Sequence, residues 1–273
     1  MTGTNAANQG PARATRRAPV VLEVAGQQVF GVIHRPATEA GRLPGVAIFH
    51  GLVGSKDQPH QIFVKLAEAL ARAGMVALRI DFRGRGDSEG ETVDITPAAD
   101  LMDARAALDY LAVQPDVDPA RLALCGMSWG GAIAACLAGH DPRVSAVALW
   151  SSAPVAGFDW NPPFRQVDGR DVAEMWGNIV GRQFYEGLGH IHPLADIQRA
   201  RGPVLIAYGT TDEEVPQSAV DHAAATLAAA GIACDVLAIP DADHAFMGYD
   251  WEQALIAGTV AWLRRALLDS TTR

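Results

Sequence analysis

Ser128 stands at the centre of a G-x-S-x-G pentapeptide, residues 126–130, between an apolar run at residues 122–125 and a helix-like run at residues 132–138. The first run predicts a strand and the second a helix. Glycines two positions to either side of the serine permit a tight strand-to-helix turn, because neighbouring backbone crosses there and a Cβ would clash. The pattern predicts a nucleophilic serine. A helix N-cap serine after a tight turn is the alternative.

The partners that serine chemistry requires follow along the chain. A serine hydroxyl is a poor nucleophile at neutral pH, so it needs a base within hydrogen-bonding reach and a carboxylate that orients the base. Asp212 follows an apolar run that ends near Gly209, and His244 follows the next apolar run, ahead of the last helix. Site residues of parallel sheets occupy such positions. Glu213 and Glu214 are the rivals of Asp212 for the role of acid.

The other histidines fit the role of base less well. His34 precedes the main series of strands, His140 follows the helix after the serine, and His222 lies in a later helix. His190 and His192 form too short a pair to specify a metal alone. We therefore predict no metal site and interpret the pair as structural, with a cap or pocket role for His192 as the alternative.

Two loops are expected to border the serine. An oxyanion intermediate needs backbone N–H donors, and the candidates are Trp129, directly after the serine, and Leu52, in the loop 50–55. His50 is expected to order this loop by hydrogen bonding. A purely structural glycine turn is the alternative.

The loop 81–90 resembles a phosphate-binding loop only superficially, because it lacks the lysine and the helix entry of that motif. We interpret it as a turn beneath the site that Arg83 holds, with Asp87 available to an inner network.

Short apolar runs alternate with helical periods from residue 46 onward, which predicts an α/β fold with a mostly parallel central sheet and helices on both faces. An antiparallel pair at residues 20–24 and 28–34 is expected to open the domain. Core-facing stripes at helical spacing are expected in the helices near residues 62–70, 101–111 and 255–267. The predicted parallel strands are residues 45–49, 76–81, 121–125, 145–150, 203–208 and 234–239.

About fifty residues separate the fourth and fifth of these strands, which is long for a connection in an α/β fold. We predict a small cap insertion at about residues 153–200. Its aromatic side chains are candidates for lining an apolar substrate pocket. An ordinary excursion whose aromatics pack on the body is the alternative. The pocket candidates are Trp160, Trp176, Phe184 and Tyr185.

The composition of the 273 residues predicts one α/β domain, residues 19–273, after a disordered arm at residues 1–18. A net charge of −9 without a basic patch argues against nucleic-acid and anionic-membrane partners. The arm lacks the apolar segment of a secretory signal, so a cytoplasmic protein is expected. Three cysteines in apolar runs are interpreted as core residues. The oligomeric state stays open.

Together with the loops 50–55 and 81–90, the segments 126–131, 209–216 and 243–246 resemble the α/β-hydrolase superfamily, whose nucleophile, acid and base follow this chain order. Within it, the segment 50–67 resembles the cinnamoyl or feruloyl esterase group of small carboxylesterases. Met127 and Trp129 stand where those esterases often carry His and Gln.

The resemblance implies Ser128 as nucleophile, Asp212 as acid, His244 as base, oxyanion donors at Leu52 and Trp129, and no metal or organic cofactor. The expected function is hydrolysis of a small ester, with an aromatic feruloyl or cinnamoyl-type ester as one candidate substrate. A peptidase, amidase or thioesterase with the same triad is the alternative, and a catalytically silent ligand-binding scaffold is a further one.

Overall fold

The computed structural model describes residues 14–38, 41–152 and 162–268. The elements in chain order are β1 (Thr15–Val24), β2 (Gln27–Pro36), β3 (Leu43–Phe49), α1 (Ile62–Arg72), β4 (Val76–Ile80), α2 (Pro97–Ala112), β5 (Val117–Met127), α3 (Trp129–His140), β6 (Val144–Trp150), β7 (Arg165–Val167), β8 (Arg170–Met175), β9 (Asn178–Gly181), α4 (Arg182–Gly187), α5 (Pro193–Ile197), β10 (Val204–Gly209), α6 (Gln217–Ala229), β11 (Cys234–Ile239) and α7 (Tyr249–Leu267).

The central sheet has eight strands in the order β1-β2-β4-β3-β5-β6-β10-β11. The strands from β4 to β11 in this order run parallel to their neighbours, and β1 and β2 form an antiparallel pair at the β4 edge. The predicted mostly parallel α/β sheet is therefore confirmed, and each predicted parallel strand overlaps an observed one. Because parallel strands end at one edge, the loops after β3, β5, β10 and β11 meet there.

Helices cover both faces of the sheet. Buried residues of α2, α3 and α6 form one core cluster with the strand side chains on one face of the sheet. Buried residues of α1 and α7 form a second cluster with the strand side chains on the opposite face. Alternate residues of β3 enter the two clusters, because successive side chains of a strand point to opposite faces. Among the helices of the described ranges, none combines the length and apolar composition needed to cross a bilayer.

The expected disordered arm at residues 1–18 is wrong at its carboxyl end. β1 begins at Thr15, and residues 15–18 pair antiparallel with residues 33–36 of β2. Their side chains are mostly exposed, so backbone hydrogen bonds rather than burial hold this part of the strand. Residues 1–13 lie outside the described residues.

The segment between β6 and β10 has secondary structure of its own. β7, β8 and β9 form a small antiparallel sheet, followed by α4 and α5. Phe184 of α4 and Ile197 of α5 are fully buried in the core cluster that contains α3. The tip of the β8–β9 hairpin is Trp176-Gly177, and Trp176 is 69% exposed.

Candidate active site

Ser128 occupies the sharp turn between β5 and α3 with φ 52° and ψ −119°, a backbone conformation that L-residues rarely adopt. Its backbone N–H donates to the carbonyl of Trp150 at 2.8 Å. A Cβ on Gly126 would overlap the carbonyl of Gly130, and a Cβ on Gly130 would overlap the carbonyl of Phe49. Both glycines are therefore required by close backbone approach, which is the reason predicted from the motif.

Asp212 and His244 follow the neighbouring parallel strands β10 and β11 and meet at their carboxyl ends. The Nδ1 atom of His244 lies 3.0 Å from each carboxylate oxygen of Asp212. Asp212 is 5% exposed, and its Oδ1 also accepts the backbone N–H groups of Glu214 and Val215, each at 2.9 Å. The carboxylate is thus held in one orientation by its own loop.

The charges of this pair stabilise each other. Burial alone would lower the pKa of the His244 imidazole, but its hydrogen bond with Asp212 and the charges of Asp212, Glu214 and Asp243 outweigh burial and raise it. Burial alone would raise the pKa of Asp212, but the hydrogen bonds from His244 and the backbone of Val215, with the charge of His244, lower it below its usual value. Asp212 is therefore ionised at neutral pH.

Neither rival carboxylate takes the place of Asp212 at Nδ1 of His244. Glu213 is exposed. The Oε2 atom of Glu214 lies 3.5 Å from Nε2 of His244, on the opposite side of the ring from Asp212. Of the three acidic residues in this loop, the structure brings Asp212 to the nitrogen that an orienting acid must contact.

The loop after β3 passes directly beside the serine. A Cβ on Gly51 would lie 3.7 Å from the Cβ of Ser128. His50 orders this loop: its Nδ1–H donates to the carbonyl of Gly51 at 2.7 Å, and its Nε2 accepts the N–H of Phe82 at 3.0 Å. Burial, with the nearby charge of Arg85, lowers the pKa of His50 to about 3, so the ring is neutral.

An open cleft of about 720 Å³ lies over the serine. Both Ser128 and His244 line it, as does Leu52, while Trp129 begins α3 immediately behind the serine. The cleft also has lining residues that the sequence did not single out for this role. These are Val53, Ser55, Gln58, Pro59, Gly86, Met127, Glu214 and Ala245.

In a comparison with known protein families, the model of the Dienelactone hydrolase family matches residues 29–264 of the chain. The chain belongs to the dienelactone hydrolase family. The match covers the sheet from β2 onward, the serine turn and the loops of Asp212 and His244. The predicted membership of the α/β-hydrolase superfamily is thereby confirmed.

This dienelactone hydrolase family member is 30% identical over 214 residues to an uncharacterized protein of Mycobacterium tuberculosis, covering 77% of this chain and 66% of the relative, slightly under two thirds of its length. It is 40% identical over 113 residues to the thiohydrolase apmlB of Arthrinium phaeospermum, covering 41% of this chain and 36% of that protein. Est1E from Butyrivibrio proteoclasticus with bound ferulic acid superposes with a TM-score of 0.79 at 20% identity, covering 90% of this chain and 98% of Est1E. At this identity the likeness to Est1E concerns the fold.

A buried ionic network in this family member links the two candidate oxyanion donors. Asp100 of α2 is fully buried and accepts the indole N–H of Trp129 at 2.7 Å. It also accepts two N–H groups of Arg85, and Arg85 Nη1 donates to the carbonyl of Leu52 at 3.1 Å. The network therefore joins α2, the loop 81–90, the loop 50–55 and the start of α3.

Sequence reasoning missed Asp100 and Arg85. The available signal was the position of Asp100 on the same helix face as Ala104, Ala107 and Leu111, because a carboxylate on a buried stripe requires a partner. Arg83, which was expected to hold the loop 81–90, does contact α2, through an ion pair between its Nε and Asp103 at 2.7 Å.

Of the four aromatic residues predicted to line the pocket, one lines the cleft, two pack on the body of the domain and one lies outside the described residues. Trp176 lines the cleft. Phe184 and Tyr185 are absent from its described lining: Phe184 is fully buried with its ring 4.9 Å from that of Trp129, and Tyr185 packs on Phe184 at 5.4 Å. In the described part of the chain, α4 thus packs Phe184 and Tyr185 against the body of the domain, as the alternative interpretation of this segment expects. Trp160 lies outside the described residues.

The histidine pair lies apart from the cleft. His190 and His192 are exposed, and neither is among the described lining residues. In the part of the chain that the structure describes, no group of three or more His, Cys, Asp or Glu side chains is arranged to hold a metal ion.

Proposed function

We propose that this protein is a serine carboxylesterase that hydrolyses a small ester through an acyl-enzyme on Ser128. The observation that carries the proposal is the position of Ser128 on a strained turn in the same cleft as His244, whose Nδ1 is held by the buried carboxylate of Asp212. This is the arrangement that activates a serine hydroxyl.

The contact with Asp212 sets the tautomer of His244. An ionised carboxylate only accepts hydrogen bonds, so Nδ1 must carry the proton and donate it. Nε2 then has a free lone pair on the side of the ring that faces the cleft. In the proposed reaction Nε2 takes the proton of Ser128 as the hydroxyl oxygen attacks the ester carbonyl, and the Asp212 carboxylate stabilises the imidazolium.

The tetrahedral intermediate breaks down when its C–O bond to the alcohol breaks and the alcohol oxygen takes the proton from Nε2. Water then attacks the acyl-enzyme with His244 as base and restores Ser128. In both steps negative charge develops on the former carbonyl oxygen. The backbone N–H groups of Leu52 and Trp129 are the proposed donors to it, supported by the position of their chain segments on either side of the serine.

As the first candidate substrate we propose an ester with an aromatic acyl group of the feruloyl or cinnamoyl type. Trp176 in the cleft provides an aromatic surface for stacking, and Est1E, which shares the fold, binds ferulic acid. A thioester is the second candidate, because a thiohydrolase aligns with part of the chain and the same triad can cleave both bonds.

The test is hydrolysis of p-nitrophenyl acetate, butyrate and octanoate, of methyl ferulate and of an acyl thioester by the wild type and by Ser128→Ala. We expect Ser128→Ala to lower kcat by at least about 10³-fold with an unchanged melting temperature. Ser218→Ala, on the exposed side of α6, is the matched control. Unchanged turnover in Ser128→Ala would refute the proposal. Cleavage of aminoacyl p-nitroanilides in preference to every ester would instead make the protein an amidase.

A further inference from the structure

Glu214 is the acidic residue that faces the reacting groups without belonging to the Asp-His pair. Its Oε2 atom lies 3.5 Å from Nε2 of His244, and the residue lines the cleft. That separation is long for a hydrogen bond, so Nε2 stays available to Ser128 and to the leaving group. The backbone of Glu214 is fixed, because its N–H donates to Oδ1 of Asp212 at 2.9 Å, while its side chain is 48% exposed.

The position of Glu214 places its carboxylate near the alcohol part of a bound ester. The leaving oxygen must come within about 3 Å of Nε2 to take its proton. Since Oε2 is 3.5 Å from the same nitrogen, the leaving oxygen lies within about 6.5 Å of the Glu214 carboxylate during this step. A charged group a few bonds beyond that oxygen therefore lies within range of an electrostatic interaction with Glu214, which is stronger in a partly shielded cleft than in bulk water.

The charge of Glu214 is not neutralised by a neighbouring cation in the described part of the chain. His244 is its ionic neighbour, and no lysine or arginine is among the described residues that line the cleft. The cations on the surrounding loops are already paired, Lys56 with Asp81 and Arg85 with Asp100.

A second feature favours the same sign of charge. Trp176 also lines the cleft and is 69% exposed, and the face of an indole ring attracts cationic groups. Carboxylate and indole together provide a cleft that favours a cation and disfavours an anion.

We propose that Glu214 is a specificity-determining residue that selects esters by the charge of their alcohol part, favouring cationic alcohols such as a quaternary ammonium alcohol and disfavouring anionic ones. This inference rests on the proposed ester hydrolysis. In the selected reaction the acyl C–O bond breaks, the electron pair stays on the alcohol oxygen, and the oxygen takes the proton from His244. Glu214 takes no part in the bond changes.

Three butyrate esters with similar shapes test the proposal: butyrylcholine, its neutral isostere 3,3-dimethylbutyl butyrate, and the anionic 2-sulfoethyl butyrate. Hydrolysis is followed in a pH-stat with the wild type, Glu214→Gln and Glu213→Gln. Dividing the kcat/KM of each variant by that of the wild type removes the intrinsic reactivity of each ester. Glu213→Gln is the matched control, because it removes the same charge from the adjacent, exposed residue.

Relative to the neutral ester, we expect Glu214→Gln to lower kcat/KM for butyrylcholine by about threefold to tenfold and to raise it for 2-sulfoethyl butyrate by a similar factor. Both effects should shrink as salt is added, because the carboxylate is half exposed. Glu213→Gln should change the two ratios by less than about twofold.

Equal responses of the three esters to Glu214→Gln would overturn the inference, as would equal effects of Glu213→Gln and Glu214→Gln. Neither result touches the proposed function, which is tested separately by the loss of p-nitrophenyl butyrate hydrolysis in Ser128→Ala. A wild type that cleaves none of these esters would count against the proposed function itself.

Discussion

His244 makes the proposed chemistry dependent on pH, because its imidazole must be neutral to accept the proton of Ser128. The neighbouring charges of Asp212, Glu214 and Asp243 raise its pKa above the ordinary value although burial opposes them. A raised pKa means that the active, neutral form is lost earlier as the pH falls. The acid limb of activity therefore reports directly on this one residue.

We expect kcat/KM plotted against pH to fall on the acid side with an apparent pKa above the ordinary histidine value of about 6.5. Asp212→Asn should move this limb to lower pH and lower kcat by about 10³-fold to 10⁴-fold, because it removes the charge and the acceptor that fixes the tautomer. Rates are measured with p-nitrophenyl butyrate from about pH 5 to 9. An acid limb that stays in place in Asp212→Asn, as it should in the control Glu213→Gln, would contradict the assignment of Asp212.

At the level of single residues, the sequence was most informative where a residue type follows a strand within a recognisable motif. Ser128, Asp212 and His244 were selected in this way, and the structure places the last two in contact. Asp100 could not be matched to Arg85 and Trp129 from the sequence, because their contacts depend on how α2 packs beside two loops. Local patterns carry no information about such partners.

At the level of elements, the segments around the serine are held together by Asp100 rather than by direct packing alone. Its carboxylate receives Trp129 from the start of α3 and Arg85 from the loop 81–90, and Arg85 holds the carbonyl of Leu52. The N–H groups of Leu52 and Trp129 are the proposed oxyanion donors. Loosening this network should therefore weaken stabilisation of the transition state more than binding of the ester.

Trp129→Phe removes the 2.7 Å hydrogen bond to Asp100 and keeps an aromatic ring. We expect a loss of about 1–2 kcal/mol in the free energy of unfolding and a fall in kcat of roughly tenfold with a smaller change in KM. Trp262→Phe is the matched control, since its indole N–H donates to Asp235 at 2.7 Å on the α7 side of the sheet. It should lose less stability in urea unfolding, because Asp235 is exposed whereas Asp100 is buried, and it should retain kcat. Equal effects on kcat in both variants would rule out a positioning role for the Asp100 network.

The β8–β9 hairpin carries a strained aromatic residue into the cleft. Trp176 and Gly177 have φ values of 45° and 78°, the left-handed conformations of a tight two-residue turn, and the flanking Met175 and Asn178 pair across it. Asparagine and glycine are the usual residues at such positions, and a bulky side chain there is costly. We predict that Trp176 is retained for its contact with the cleft although it strains the turn.

Trp176→Asn should therefore stabilise the hairpin by about 0.5–1 kcal/mol while it raises KM for methyl ferulate, because strain is relieved and the aromatic surface is lost. Hydrogen exchange of the β8 and β9 amides measures the first effect and steady-state kinetics the second. Trp176→Phe keeps both the strain and an aromatic ring, so it should change each quantity less. A lower exchange protection in Trp176→Asn would show that the indole holds the hairpin in place.

For the whole molecule, the order of apolar runs was enough to predict the parallel sheet, because strands buried on both faces are visible as short continuous apolar segments. The start of β1 was not visible, since residues 15–18 are mostly polar and exposed and show no apolar run. The small sheet of β7 to β9 was missed for the same reason: its short strands mix exposed and buried positions without a clear period.

Burial of two histidines in the neutral form makes the stability of the whole domain depend on pH. Burial, with the charge of Arg79, lowers the pKa of His34 to about 4, and burial lowers that of His50 to about 3. As the pH falls, the unfolded chain binds these protons first, so stability is present above about pH 6.5 and is lost toward pH 4. Asp103, whose pKa burial raises to about 6, and His244, whose pKa the neighbouring charges raise, work in the opposite direction, so the test isolates one histidine.

His34→Gln tests this account, because a glutamine oxygen can still accept the N–H of Arg79 that His34 Nε2 accepts at 3.0 Å, but it cannot be protonated. The free energy of unfolding in urea is measured from about pH 4.5 to 7. We expect its slope against pH to fall in the variant by up to about 1.4 kcal/mol per pH unit, which corresponds to one proton fewer taken up on unfolding. His222→Gln, on the exposed side of α6, should leave the slope unchanged. An equal slope in wild type and His34→Gln would mean that His34 binds protons equally in the folded and unfolded chain, and burial beside Arg79 would then not lower its pKa.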